Sequence, residues 1–126
     1  MPEAYVEHVN ITVSDPQAAA LDLAKIFDWK IRWSGPSLGD GYTVHVGGER
    51  FYVALYAQDP DAPAVEDNYR TRRALNHVAI VVDDPEAVEA RVVAAGLKPH
   101  SHQTYEPGQR FYFHDREGVE YEVVSY

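Results

Sequence analysis

Cysteine is absent from the 126 residues, which excludes disulfides, thiolate metal sites and cysteine nucleophiles. No apolar run approaches the ~18 residues that a membrane span needs. The opening Met-Pro-Glu-Ala-Tyr has neither a basic nor an apolar stretch, so no signal peptide is expected. Basic residues are few: eleven Lys and Arg stand against twenty Asp and Glu, a formal charge of −9. A surface of that sign repels phosphate backbones and anionic lipid, so nucleic acid and membrane are excluded as partners. Those absences leave an acidic protein for which the cytoplasm is the default compartment.

What is present has the balance of one globular domain, 45% hydrophobic and 25% charged. Its main organising signal is internal repetition. Glu7 to Ala19 reads EHVNITVSDPQAA and Asn76 to Val88 reads NHVAIVVDDPEAV. His8 matches His77, Val9 matches Val78, Ile11 matches Ile80 and Val13 matches Val82. Asp15, Pro16 and Ala18 match Asp84, Pro85 and Ala87, and each pair is 69 positions apart.

The repeated grammar is a strand running into a helix. Val9, Ile11 and Val13 alternate with His8, Asn10 and Thr12, the period of a strand with one buried face. Asp15 supplies an N-cap carboxylate, and Pro16 sits where its missing N–H costs nothing. Ala20, Leu23, Ala24 and Phe27 then predict one helix face. In the second copy Asp84 and Pro85 act alike, Val88, Val92 and Ala95 form the stripe, and Gly96 closes the helix.

Three strands are predicted after each helix: 29–33, 42–46 and 51–56, then 97–102, 110–114 and 119–125. Turn chemistry at Gly35-Pro36, Gly39 to Gly41, Gly47-Gly48, Pro107-Gly108 and Glu117-Gly118 separates them. The fold class is α+β: two βαβββ modules, about 5–57 and 75–126, within one domain over 1–126. Their sheets form an open cup with the helices on its outer face. A polar connector with partial helix links them over 57–74, ending on Arg70, Arg72 and Arg73.

With the apolar side of each first strand turned to its helix, His8, Asn10, Thr12, His77 and Ala79 face away from it. A last hairpin centred at Glu117 sets Tyr112 opposite Glu122 and His114 opposite Glu120. The open faces then carry histidines, glutamates and tyrosines together. One strand histidine is ordinarily structural, but two at equivalent repeat positions on such faces favour a ligand role.

A strand opening on His, an Asp-Pro helix start, and the ending Phe111-Tyr112-Phe113-His114-Asp115-Arg116-Glu117-Gly118-Val119-Glu120-Tyr121-Glu122 carry a family resemblance. The chain resembles the vicinal oxygen chelate superfamily of glyoxalases, bleomycin and fosfomycin resistance proteins and extradiol dioxygenases. The resemblance implies one divalent metal, Fe, Mn, Ni, Co or Zn, held by His8, His77 and Glu122. It further implies Tyr112 as a catalytic residue and a homodimer with modules paired within or exchanged between chains. Two imidazoles and a carboxylate leave positions open for water and substrate.

Departures from the family narrow the chemistry. The fourth ligand of many members falls at Ala54, and the glutathione-binding arginine of glyoxalases at Thr12. Tyr112 matches the tyrosine that extradiol dioxygenases place ten residues before their glutamate, whereas their acid-base histidine falls at Phe51. The expected function is a metal-dependent lyase, dioxygenase or transferase acting on a small oxygen-rich substrate. The rival is a metal-free protein that sequesters a ligand, as bleomycin resistance proteins do; a third reading is a family member without catalysis.

Other residues carry two readings each. His45 is a base, an extra ligand or an exposed strand histidine, and His114 is a titrating group or a rim partner of Glu120. Tyr52, Tyr56 and Tyr112 either line a pocket for a planar ligand or serve as ordinary strand formers. His100 and His102 are read as surface residues, Trp29 and Trp33 as packing or interface residues.

Overall fold

The computed structural model describes residues 2–105 and 108–126. The predicted Pro107 turn position lies outside them. The chain divides into two compact units, Met1–Ala62 and Pro63–Tyr126. Each is a βαβββ module with a four-stranded mixed sheet.

The first unit runs β1 (His8–Thr12), α1 (Pro16–Phe27), β2 (Lys30–Pro36), a 3-10 turn at Leu38–Asp40, β3 (Tyr42–Gly47) and β4 (Tyr52–Ala57). Its sheet order is β1-β4-β3-β2, with β1 parallel to β4 and the other pairs antiparallel. The Asp15 carboxylate accepts from Ala18 N–H at 3.1 Å and so opens α1 as predicted. Asp28 closes it in the left-handed region at φ 58°, a conformation Asp tolerates better than most residues.

One face of that sheet meets α1. Leu23, Ile26 and Phe27 pack there with Ala19 and Ala20, against the side of the sheet that carries Val44, Val46, Val53 and Leu55; all are buried. Burying each large side chain stabilises the unit by roughly 1.5–3 kcal/mol. The predicted stripe thus names Ala20, Leu23 and Phe27 correctly and misses Ala19 and Ile26. The other face carries His8, Asn10, Thr12, His45, Tyr52, Ala54 and Tyr56, because β-strand side chains alternate.

The second unit runs β5 (Val78–Val81), α2 (Pro85–Ala94), β6 (His100–Tyr105), β7 (Gly108–His114) and β8 (Glu120–Ser125), in sheet order β5-β8-β7-β6. Asp84 caps α2 as Asp15 caps α1, accepting from Ala87 N–H at 3.1 Å. Val88 and Val92 are buried, but the third predicted stripe residue, Ala95, is exposed at the helix cap. There the chain makes a left-handed exit. Gly96 has φ 81°, its N–H bonds Val93 C=O at 2.9 Å, and Leu97 N–H bonds Val92 C=O at 3.1 Å. That motif consumes Leu97 and Pro99 follows it, so β6 starts at His100 rather than at 97.

The β7–β8 register follows from its turn. The Asp115 carboxylate, buried, accepts from the N–H groups of Glu117 and Val119 at 2.9 Å each. Gly118 supplies the left-handed residue at φ 83°. Tyr112 consequently pairs with Glu122 and His114 with Glu120, the predicted register.

The connector carries no helix among its described residues. Asp67 organises a turn instead, its carboxylate accepting from Tyr69 and Arg70 N–H and its C=O from Thr71. Within the second unit this turn presents Tyr69 to the sheet.

Candidate functional site

In the second unit, β5 and β8 run parallel with Ala79 opposite Glu122. His77, one step before β5, therefore reaches the same helix-free face as Glu120 and Glu122. Its Nε2 lies 3.0 Å from Glu122 Oε1. The other oxygen, Oε2, accepts from Arg110 Nη1 at 3.0 Å. The Glu122 carboxylate is buried at 6% exposure, and a buried carboxylate needs such partners to remain ionised.

The opposite nitrogen of His77 is held as well. Tyr69 Oη stands 3.2 Å from His77 Nδ1 and donates to Glu120 Oε1 at 2.8 Å. Tyr69 is more than half exposed, yet desolvation pushes its phenol pKa up to about 12. The Glu120 hydrogen bond and the negative charge of Glu120 and its neighbours add to that rise. Tyr69 is a donor throughout the physiological range. Tyr112 meets His77 edge-on, ring centroids 5.6 Å apart.

Beside this pair lies a second cluster. His100 Nε2 is 3.1 Å from His114 Nδ1, and His114 Nε2 is 3.9 Å from Glu120 Oε1. One ligand atom from each of His100, His114 and Glu120 falls within 4.8 Å of the others, a group that could hold a metal ion. His100 is half-buried and stacked on His114, so its reading as a surface residue is corrected. His102 is exposed and pairs with Glu89.

The first unit builds an aromatic ladder on its helix-free face. Tyr52 stacks on His8 at 4.6 Å and on His45 at 4.2 Å. Arg32 lies 4.8 Å over the Tyr52 ring, and Trp33 leans on His45 at 5.1 Å. His8 Nδ1 also meets Glu7 Oε1 at 2.9 Å. Burial lowers the pKa of His45, and positive charge at His8 and Arg32 lowers it further, against a smaller opposing effect of Glu7. The His45 pKa is thus held below the ordinary imidazole value.

Ala54 pairs with Asn10 and His45, while Glu122 pairs with Ala79 and Tyr112. Since Ala79 is the repeat counterpart of Asn10, Ala54 occupies the Glu122 position of the first module. His45 occupies that of Tyr112. Tyr56 donates to Leu38 C=O at 2.6 Å and fixes the 3-10 turn.

Of the four residues singled out from the sequence, His77, Glu122 and Tyr112 come together in the second unit, and His8 stands on the first. Three neighbours escaped sequence reasoning. Arg110 alternates with Tyr112 and His114, so its face was readable. His100 was hidden by the misplaced start of β6. Tyr69 left no signal, because a connector residue has no periodicity to follow.

The family model described as the glyoxalase/bleomycin resistance protein/dioxygenase superfamily matches residues 5–123. No curated protein matches the sequence. Among solved structures, the chain is similar to a glyoxylase/bleomycin resistance protein/dioxygenase domain from Frankia sp. EAN1pec, with 23% identity, 98% of each chain covered and a TM-score of 0.82. It is also similar to the fosfomycin resistance protein FosX of Listeria monocytogenes, crystallised with Mn(II) and sulfate: 16% identity, 100% and 94% covered, TM-score 0.72. Lactoylglutathione lyase of Agrobacterium tumefaciens shares 17% identity, with 99% and 96% covered and a TM-score of 0.67. At these identities the likeness is one of fold.

Proposed function

The chain belongs to the glyoxalase/bleomycin resistance protein/dioxygenase superfamily, and from that premise we propose a metal-dependent enzyme acting on a small oxygen-rich substrate. In this reading His8, His77 and Glu122 hold the divalent ion. The observation that carries this reading is the His77–Glu122 pair: an imidazole nitrogen and a buried carboxylate oxygen 3.0 Å apart. Adjacent ligands of an octahedral ion bound at ~2.0–2.1 Å stand about 3 Å apart, and those of a tetrahedral ion about 3.3–3.4 Å, so the donor set suits Mn(II), Zn(II) and their neighbours. FosX, of the same fold, was crystallised with Mn(II).

The chain's own groups then have definite tasks. Arg110 pins Glu122 Oε2 and leaves Oε1 turned toward His77. Tyr69 holds His77 Nδ1, so that Nε2 faces the carboxylate, an orienting contact of the kind that raises metal affinity. Tyr112, edge-on to His77, offers its phenol to a substrate oxygen and is the catalytic residue of this reading. A divalent ion there supplies Lewis-acid polarisation of the substrate's paired oxygens. Ala54 adds no fourth ligand, which leaves room for two substrate oxygens and favours dioxygenase-like or transferase-like chemistry over glyoxalase-like isomerisation. We extend the reading to a homodimer, since β1 and β5 are edge strands within their own sheets, and to the cytoplasm as its compartment.

One observation favours a second reading, a metal-free ligand-sequestering protein. Arg110 already neutralises Glu122 without any ion. Metal analysis of protein purified without chelators separates the two. A divalent ion that His77→Ala removes supports the enzyme; none, together with no uptake from added Mn(II) or Zn(II), supports the binder.

A further inference from the structure

The cluster of His100, His114 and Glu120 supplies none of the proposed ligands of the site above, although Glu120 shares the Tyr69 hydroxyl with His77 and all three lie on the same face of the second sheet. Their positions follow from local backbone devices. His114 and Glu120 are direct cross-strand partners on β7 and β8, and His100 is the β6 partner of Tyr112. A β-bulge interrupts β6 between His100 and Gln103. Inside it, Ser101 adopts φ 58°, a left-handed conformation unfavourable for a residue other than glycine. Bulges re-aim side chains, and strained residues persist where the surrounding structure over-determines them. Here the result is that Ser101 Oγ meets His100 Nδ1 at 2.9 Å, while His100 Nε2 points at His114.

The electrostatics lean the same way. The Glu120 carboxylate is buried at 8% exposure. It meets a neutral phenol at 2.8 Å and an imidazole at 3.9 Å, and histidine carries charge only when protonated. A buried carboxylate with so little positive charge in contact is well placed to accept a cation. The nitrogens of His100 and His114 are 3.1 Å apart. Two nitrogens bound to one tetrahedral ion at ~2.0–2.1 Å stand about 3.3–3.4 Å apart. His114 gives an ion one nitrogen only: Nδ1 faces His100 and Nε2 lies 3.9 Å from Glu120, and with one ligand atom from each residue the three groups fall within 4.8 Å of one another.

We propose that His100, His114 and Glu120 form a second divalent-cation site, separate from the His8, His77 and Glu122 set. Two imidazoles and one carboxylate select borderline ions such as Zn(II), Ni(II) or Cu(II) over Mg(II) or Ca(II). The ion replaces the hydrogen bond between the two histidines, and each ring stays neutral with its N–H on the nitrogen turned away from the ion, which for His100 is the Nδ1 beside Ser101 Oγ. The ion ties the edge strand β6 to β7 and β8. Ser101 orients a ligand, as hydrogen-bonding partners of metal-bound histidines do.

The test is Zn(II) titration of chelator-stripped full-length protein by calorimetry. Parent, His8→Ala, His114→Ala, His100→Gln and His8→Ala/His114→Ala chains are compared, each checked for folding by circular dichroism. The inference expects His8→Ala to keep one ion per chain that His8→Ala/His114→Ala loses. His100→Gln, which keeps a polar side chain of similar reach, should weaken that ion more than about tenfold. Should His114→Ala and His100→Gln bind Zn(II) with the parent's stoichiometry and affinity, the inference is overturned. A single parental ion abolished by His8→Ala and untouched by His114→Ala likewise overturns it and upholds the proposed function. The reverse pattern upholds the second site and removes the first.

Discussion

Glu122 is divided between two cationic or potentially cationic partners: His77 Nε2 on Oε1 and Arg110 Nη1 on Oε2, each at 3.0 Å. This division makes the carboxylate a reporter of what occupies the site. Arg110→Gln leaves a buried carboxylate with His77 as its principal cationic partner. Breaking a buried pair in this way costs about 3 kcal/mol, read as a lower urea midpoint in chelator. Saturating Mn(II) should recover part of that loss, since a bound ion neutralises the same carboxylate. An equal loss with and without Mn(II) would show that no ion reaches Glu122.

Tyr69 links His77 to Glu120 through one hydroxyl, and its pKa is pushed up to about 12 from the ordinary 10.0. The folded state therefore holds the phenol proton more tightly than the unfolded state does. The associated stability is complete below pH 10 and is lost as pH rises from 10 toward 12. Tyr69→Phe should lower stability at pH 7 by about 1 kcal/mol and flatten the decline above pH 10. The check is the difference between parent and variant in ultraviolet tyrosinate titration and in unfolding midpoint. A parental Tyr69 titrating near pH 10 would mean that its hydroxyl does not reach Glu120.

Ala54, 1% exposed, holds in the first module the place of Glu122 in the second. Ala54→Glu buries a new carboxylate beside His45, so chelated protein should lose about 2–4 kcal/mol. Added divalent metal should restore stability, and a hydroxamate probe that needs two free positions should bind more weakly than to the parent. Equal probe affinity in the two would mean that Ala54 does not face the metal.

Most of each module was legible because its signals are local. Asp15 and Asp84 cap helices from one residue away, and Gly118 with Asp115 fixes the β7–β8 register within a single turn. Once that register is set, alternation alone places Tyr112 against Glu122. The misreadings arise where a local pattern meets a competing hydrogen bond. Leu97 has strand chemistry, but its N–H is taken by Val92 at the end of α2. The Asp67 turn replaces the helix expected in the connector because Asp67 satisfies nearby N–H groups with its side chain. Arg110 could have been read from its alternation with Tyr112 and His114, and His100 as well had β6 been placed correctly. Tyr69 could not, since only tertiary packing within the second unit brings it to His77.

The central claim is that His8, His77 and Glu122 jointly hold one divalent ion. Mn(II) binding to chelator-stripped parent, to each single alanine variant and to the triple variant tests it most directly, with stoichiometry and affinity read separately. Each single variant should lower the affinity of one ion at least tenfold, and the triple variant should bind one ion fewer per chain than the parent. A triple variant that binds as many Mn(II) ions as tightly as the parent would contradict the account.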